Sequence, residues 1–171
     1  VFWWFAAAGP GNVIVGPWHA SLATGGADAS MYTRNYVAIT ALLALNRNEA
    51  IYFEAQHDDD GRKLSTNCDY DITVAPIQAR WWSITAYADD NFLIPNAANR
   101  FSYNVRSFGI VPDGDSIIAL GSRQRPGNWL PTGSLGGGFN LLLRLYNPDA
   151  ELVEAPALAK LPSIKLVGKC P

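Results

Sequence analysis

His19 and His57 are the only histidines of this 171-residue chain, and so the only side chains whose ordinary titration suits general-base work near neutral pH. A nucleophile to serve them would be Ser21 or Ser83, and neither stands in a Gly-x-Ser-x-Gly elbow. Glycoside chemistry would need two carboxylates facing one bond. The glutamates are Glu49, Glu54, Glu151 and Glu154, and only Glu54 falls inside an alternating stretch, so no acid/base pair emerges. Asp58-Asp59-Asp60-Gly61 supplies half of the alternating oxygens of a calcium loop but no closing glutamate, and reads as a solvated hairpin turn. Gly136-Gly137-Gly138 opens no helix and reads as a flexible hairpin rather than a phosphate cradle. Two His, two Cys and one Met are too few soft ligands for a zinc cluster, a haem attachment or an iron–sulfur site. No catalytic residue, metal or cofactor is assigned on these grounds.

The elements that would position any site follow from periodicity. The length suits one domain, and 49% hydrophobic residues against 16% charged exclude a disordered chain. A net charge of −2 without a Lys/Arg run argues against a nucleic-acid partner. After Gly25-Gly26-Ala27, Asp28 or Ser30 caps a helix with apolar positions Tyr36, Val37, Ile39, Ala41, Leu42, Leu43 and Leu45, ended by Asn46-Arg47-Asn48. Beyond it the period is two, which predicts strands over 51–55, 70–74, 81–87, 102–106, 116–120, 140–146 and 164–167. Turn residues separate them, as at Asp60-Gly61, Pro112-Asp113-Gly114-Asp115 and Arg125-Pro126-Gly127-Asn128. Short strands at this spacing predict a mainly β fold, a jelly-roll-like antiparallel β-sandwich with one N-terminal α-helix. The Ala/Pro-rich tail over 148–162 is expected to run over the surface.

Both ends carry further signals. Phe2-Trp3-Trp4-Phe5 lies in an uncharged run closed by Gly9-Pro10-Gly11. Eight residues of helix reach only about 12 Å, so the run cannot span a bilayer alone. It fits the exit end of a transmembrane helix, a signal-peptide remnant or an aromatic core strand, and aromatic enrichment at membrane interfaces favours the first. Residues 1–10 are then the end of a transmembrane or docking helix and 11–171 a single β domain. Cys68 precedes an alternating stretch and Cys170 is the penultimate residue. A cysteine at an otherwise frayed end has little packing reason to be there, so a Cys68–Cys170 disulfide is expected in preference to two free thiols. Disulfide and aromatic start together suggest the periplasmic side of a bacterial inner membrane, with an N-terminal helix as anchor.

Four ordered segments carry a family resemblance: Leu42-Leu43-Ala44-Leu45-Asn46-Arg47-Asn48-Glu49-Ala50-Ile51-Tyr52, Trp82-Ser83-Ile84-Thr85-Ala86-Tyr87, Pro95-Asn96-Ala97-Ala98-Asn99-Arg100-Phe101-Ser102, and Asn128-Trp129-Leu130-Pro131 leading to Arg144-Leu145-Tyr146-Asn147-Pro148. Over about residues 30 to 150 the chain resembles the bacterial domain of unknown function 1214. The resemblance implies a jelly-roll-like β structure with a helix, no secure activity, and association with the domain of unknown function 1254, which is one candidate partner. Its motifs bring forward Tyr87, Asn96, Arg100, Trp129, Arg144 and Tyr146, types that bind more often than they catalyse. Alternation groups Leu142, Arg144 and Tyr146 on one strand face, and Trp81, Ser83, Thr85 and Tyr87 on another. Across a cleft these would suit a small anionic or carbohydrate-like ligand, with arginine as a fork and aromatics for stacking. The structural alternative has Arg144 stapling loop carbonyls and Tyr146 closing a sandwich corner. The functional expectation is a non-enzymatic, membrane-tethered domain that binds a partner protein or small polar ligand. Its rivals are an accessory subunit packed on the transmembrane helices of a larger complex, and an envelope hydrolase.

Overall fold

A computed structural model of the chain describes residues 12–22, 45–109, 116–133, 136–168 and 170. In chain order these form β1 (Asn12–Val15), β2 (Trp18–Ser21), β3 (Ala50–Ala55), β4 (Tyr70–Val74), β5 (Ala79–Ala88), β6 (Ser102–Asn104), β7 (Ser116–Gly121), β8 (Asn128–Pro131), β9 (Phe139–Pro148), α1 (Ala150–Glu154), a 3-10 turn (Pro156–Leu158) and β10 (Ser163–Leu166). The strands join in a six-stranded sheet of order β1-β2-β3-β9-β5-β6 and a four-stranded sheet of order β10-β4-β7-β8.

The alternation read from the sequence is what builds both sheets. In β9, Phe139, Leu141, Leu143 and Leu145 are fully buried, while Leu142, Arg144 and Tyr146 are half-buried on the other face. Phe53 of β3 and Ile84 of β5 lie on the same buried side, opposite Leu143 on its two flanks. The second sheet contributes Tyr70, Ile72, Ile118, Leu120, Leu130 and Ile164 to the same core. The Tyr70 and Phe139 rings meet edge to face at 5.9 Å, one from each sheet. Burying one apolar face per sheet in a shared core is what holds a two-sheet domain together.

All seven expected strands are present, each shifted by no more than two residues at either end. Three others were not expected. β1 and β2 are four residues long and join through Gly16 at a φ of 56°, too short for alternation to announce them. β8 pairs with β7 in parallel, whereas every other pairing is antiparallel. The turn residues Arg125 to Asn128 lead back along β7 instead of reversing into a hairpin.

Of the two expectations about helices, one falls outside the described residues and the other is corrected. The helix expected from Asp28 to Leu45 falls over 23–44, outside the described residues, and the α-helix the structure does describe, α1, lies near the C-terminus. It sits in the Ala/Pro-rich tail that was expected to run over the surface, and Leu152 and Pro156 of that tail are buried. The N-terminal helix anchor and the periplasmic membrane location built on it are not upheld. Among the described residues no helix is long and apolar enough to cross a membrane. α1 has five residues, about 7.5 Å of helix against a bilayer core of about 30 Å. Phe2, Trp3, Trp4 and Phe5 lie outside the described residues.

The tail is tied at both ends of β10. Cys68 and Cys170 form a disulfide across a sequence separation of 102. Just before it, the Val167 N–H donates to the Asp69 carbonyl at 2.8 Å. At the other end of β10, the buried Trp18 indole N–H donates to the Pro162 carbonyl at 2.6 Å.

Candidate functional site

The six candidate side chains divide into two groups. Asn96, Arg100 and Trp129 gather around Tyr103, a residue whose strand was expected but whose role nothing in the sequence marked. Asn96 folds its own loop: its amide nitrogen donates to the carbonyls of Ile94 and Arg100, and its amide oxygen accepts the Arg100 N–H at 3.1 Å. Within that loop Asn99 takes a φ of 47°, a conformation asparagine tolerates better than most residues. The Arg100 guanidinium donates to the Tyr103 hydroxyl at 2.8 Å and to the Trp129 carbonyl at 3.2 Å. The Trp129 N–H donates to the same hydroxyl at 2.9 Å, and its indole N–H to the Gly121 carbonyl. Tyr103 is buried beside Ile84 in register, so this cluster fastens β6 to β8, one strand from each sheet. The Asn96 amide, the Tyr103 hydroxyl and one nitrogen of the Arg100 guanidinium are thus spent on the fold.

Tyr87, Arg144 and Tyr146 lie on the face of the six-stranded sheet that points away from the core. The two faces expected to meet across a cleft belong to β5 and β9, which are hydrogen-bonded neighbours, so their side chains stand side by side. Successive rows across the sheet are Trp81 with Tyr146, Ser83 with Arg144 and Tyr52, and Thr85 with Leu142, Glu54 and His19. The Arg144 guanidinium leans along β5 and donates to the Thr85 hydroxyl at 2.9 Å and the Tyr87 hydroxyl at 2.5 Å, with its carbon 5.7 Å from the centre of the Tyr87 ring. Its partners are thus hydroxyls and a ring, not loop carbonyls. Tyr146 packs edge to face on Tyr52 at 6.3 Å and on Trp81 at 5.4 Å, in the middle of the face rather than at a corner.

Titration behaviour sharpens this face. Burial pushes the Tyr52 hydroxyl up to about 12, helped by its hydrogen bond to Tyr146 and opposed by the Arg144 charge. Burial also raises the Glu54 carboxyl above its ordinary value, against a hydrogen bond from the Gln56 amide at 3.2 Å. His19, opposite Glu54 in register, is lowered by burial and by the charge of His57. No ion pair joins His19 to Glu54, or Arg144 to any carboxylate, among the described residues. Ser83, one of the two arguable nucleophiles, is buried beside Arg144 in register and has no basic partner there.

The acidic turn is not the solvated hairpin expected from its composition. Asp59 and Asp60 are exposed, but Asp58 is only 2% exposed. Its carboxylate accepts the N–H groups of Asp60 and Arg62 and the Arg62 guanidinium. Burial alone would raise this carboxyl; the Arg62 backbone N–H, the Arg62 side chain and its charge, and the Asp60 N–H together bring it below its ordinary value. Asp59 is spent on β10, accepting the Ile164 N–H at 3.1 Å. The glycine run is pinned too: the Gly137 carbonyl accepts the Thr66 N–H, and the Gly138 N–H donates to Asp89 at 3.0 Å. A Cβ on Gly138 would fall 2.6 Å from an Asp89 oxygen, so the exposed Asp89 side chain would have to swing aside for any larger residue.

No curated protein matches the chain in sequence. Among solved structures it is similar to the VPA0106 protein from Vibrio parahaemolyticus, with 26% identity and a TM-score of 0.66 over 82% of this chain and 36% of that one. An uncharacterized protein from Burkholderia cenocepacia is more distant, at 17% identity and a TM-score of 0.44 over 70% of this chain and 29% of that one. The chain therefore spans little more than a third of VPA0106. A family model, protein of unknown function DUF1214, matches residues 49–150, more than half of the chain. This chain belongs to the DUF1214 family.

Proposed function

We propose that this chain is a jelly-roll-like binding domain that takes a small anionic ligand on the outer face of its six-stranded sheet, at Arg144. One observation carries the reading. Arg144 is half-buried, its guanidinium is held by two neutral hydroxyls and an aromatic ring, and no carboxylate among the described residues neutralises it. Withdrawing a cation from water is costly unless an opposite charge meets it. The guanidinium has five donors in a planar fork, so two hydrogen bonds leave room for a carboxylate or phosphate oxygen pair. Thr85 and Tyr87 hold the fork in place before the ligand arrives, which lowers the ordering cost of binding. The reading is of binding, since among the described residues Ser83 and Glu54 on this face have no hydrogen-bonded base or second carboxyl.

The test is titration of the chain with acetate and with inorganic phosphate, followed by NMR of the arginine side-chain and tryptophan indole signals. Saturable shifts in the wild type that vanish in Arg144→Met, with the variant still melting cooperatively, are the expected result. Equal shifts in both proteins would overturn the assignment.

A second reading, docking onto a larger polypeptide such as a domain of unknown function 1254 protein, rests on the chain's spanning only 36% of VPA0106. Mixing this chain with a separately produced remainder of VPA0106 and finding no complex by light scattering would count against it.

A further inference from the structure

We propose that the anion taken at Arg144 is the carboxylate of an α-amino acid with an apolar side chain, whose ammonium group meets Glu54. The inference rests on the anion-binding reading and adds the class of ligand. Two opposite charges flank one leucine without meeting. Thr85, Leu142 and Glu54 stand in one row across β5, β9 and β3 on the outer face. The Arg144 backbone lies one row back, but its guanidinium reaches forward to the Thr85 and Tyr87 hydroxyls and so stands at the β5 side of Leu142. Glu54 holds the β3 side, where its carboxyl accepts the Gln56 amide from two residues further along the strand. Leu142, Arg144 and Glu54 are all half-buried. Among the described residues no ion pair joins the guanidinium to this carboxyl, or joins either of them to another charged group, His19 beyond Glu54 included.

The spacing explains why the two charges stay apart and what would join them. With β9 between them, β5 and β3 are two strand spacings apart, about 9.6 Å. A direct ion pair needs its atoms within about 4 Å. In an α-amino acid the nitrogen lies about 2.5 Å from the carboxyl carbon, and a charge-assisted hydrogen bond of about 2.8 Å at each end lets it link a carboxylate to a guanidinium over about 8 Å. A simple carboxylate would satisfy Arg144 and set a second negative charge beside Glu54, and a simple amine would do the reverse. The zwitterion answers both, and its ammonium opposes the rise that burial imposes on the Glu54 carboxyl. Its central carbon would rest over Leu142, with the half-buried Tyr52 ring in the adjoining row as a wall for its side chain. A third charge on that side chain would be set against leucine and tyrosine, which favours an apolar one.

The experiment compares leucine, 4-methylpentanoate and 3-methylbutylamine, which share one branched chain and differ only in the charged groups they carry, by isothermal titration and by NMR of the arginine side-chain signals. Leucine is expected to bind at least tenfold more tightly than either analogue. Glu54→Gln, which keeps the shape and removes the charge, is expected to lower leucine affinity about tenfold while 4-methylpentanoate binds no more weakly, with the melting temperature checked in parallel. Arg144→Met is expected to abolish binding of both acids. If leucine shows no advantage over 4-methylpentanoate, or keeps its advantage in Glu54→Gln, the amino-acid inference is overturned and the anion site stands. If 3-methylbutylamine binds as well as leucine, or if neither acid binds, the anion reading falls with it.

Discussion

The Arg144 guanidinium donates to the Tyr87 hydroxyl at 2.5 Å while its carbon stands 5.7 Å from the centre of the same ring, so one tyrosine meets the cation with both its oxygen and its π face. The two residues lie on adjacent strands but two rows apart, a distance that takes a long side chain such as arginine to close. Removing the hydroxyl in Tyr87→Phe keeps the ring and deletes the hydrogen bond. The expected cost is about 1–2 kcal/mol, since the bond involves a charged donor. Chemical denaturation of the two proteins measures it, and a loss much below this would show that solvent replaces the hydroxyl at no cost.

Asp58 should make stability depend on acid. Its carboxyl lies below its ordinary value in the folded protein, so its contribution is present above the unfolded value near 3.8 and is lost as pH falls through the folded value. Asp58→Asn is expected to destabilise by about 1–3 kcal/mol at neutral pH, through loss of a charged acceptor for Arg62 and two backbone N–H groups. Urea midpoints measured from pH 7 down to pH 2 should converge for variant and wild type below about pH 4. A gap that persists unchanged into strong acid would refute the assignment.

Glu54 carries the opposite sign. Burial holds its carboxyl above the ordinary value, so the folded protein prefers it protonated, and ionisation at higher pH costs stability. Glu54→Gln is therefore expected to melt at a higher temperature than wild type at pH 7 to 8, with the difference closing as pH falls below the unfolded value near 4.5. A lower melting temperature at neutral pH would mean that the carboxylate makes a stabilising contact that burial does not account for.

The disulfide should matter to the fold as a whole. Closing a loop of 102 residues contributes about 4–5 kcal/mol in the chain-entropy model, which is a ceiling. Cys170→Ser is expected to lose a large part of that, and amide exchange should rise first in β10 and its partner β4. Differential scanning calorimetry with exchange mass spectrometry checks both, and an unchanged melting temperature would leave the bridge without a stabilising role.

Much of this architecture was legible in the residues because burial of one sheet face imposes strict alternation. Leu141, Leu143 and Leu145 with Leu142, Arg144 and Tyr146 between them could only be a strand with one core face and one mixed face. β1, β2 and β8 were not legible, because four residues give two alternations at most and turn residues such as Pro126 and Gly127 suit a parallel return as well as a hairpin. Alternation also names a face without naming its neighbour. It placed Thr85, Tyr87 and Arg144 correctly on their strands, yet only the pairing of β5 with β9 shows that they share one surface. The Asn96, Arg100 and Trp129 set was chosen for its chemical types. What it does depends on Tyr103, whose hydroxyl is drawn to it by a contact between sheets that no local pattern records. Asp58 was misread for a related reason, since composition cannot tell which of three adjacent aspartates turns inward.

β9 presses Leu141, Leu143 and Leu145 into the core and lifts Leu142, Arg144 and Tyr146 onto the outer face, in a single uninterrupted run flanked by strands on both sides. A one-residue insertion or deletion near its start would exchange the two sets, sending a guanidinium inward and a leucine outward. Variation within this strand is thus confined to replacement at constant length. A lineage can retune what the outer face recognises letter by letter, but it cannot reframe that strand without forfeiting the interior in the same event.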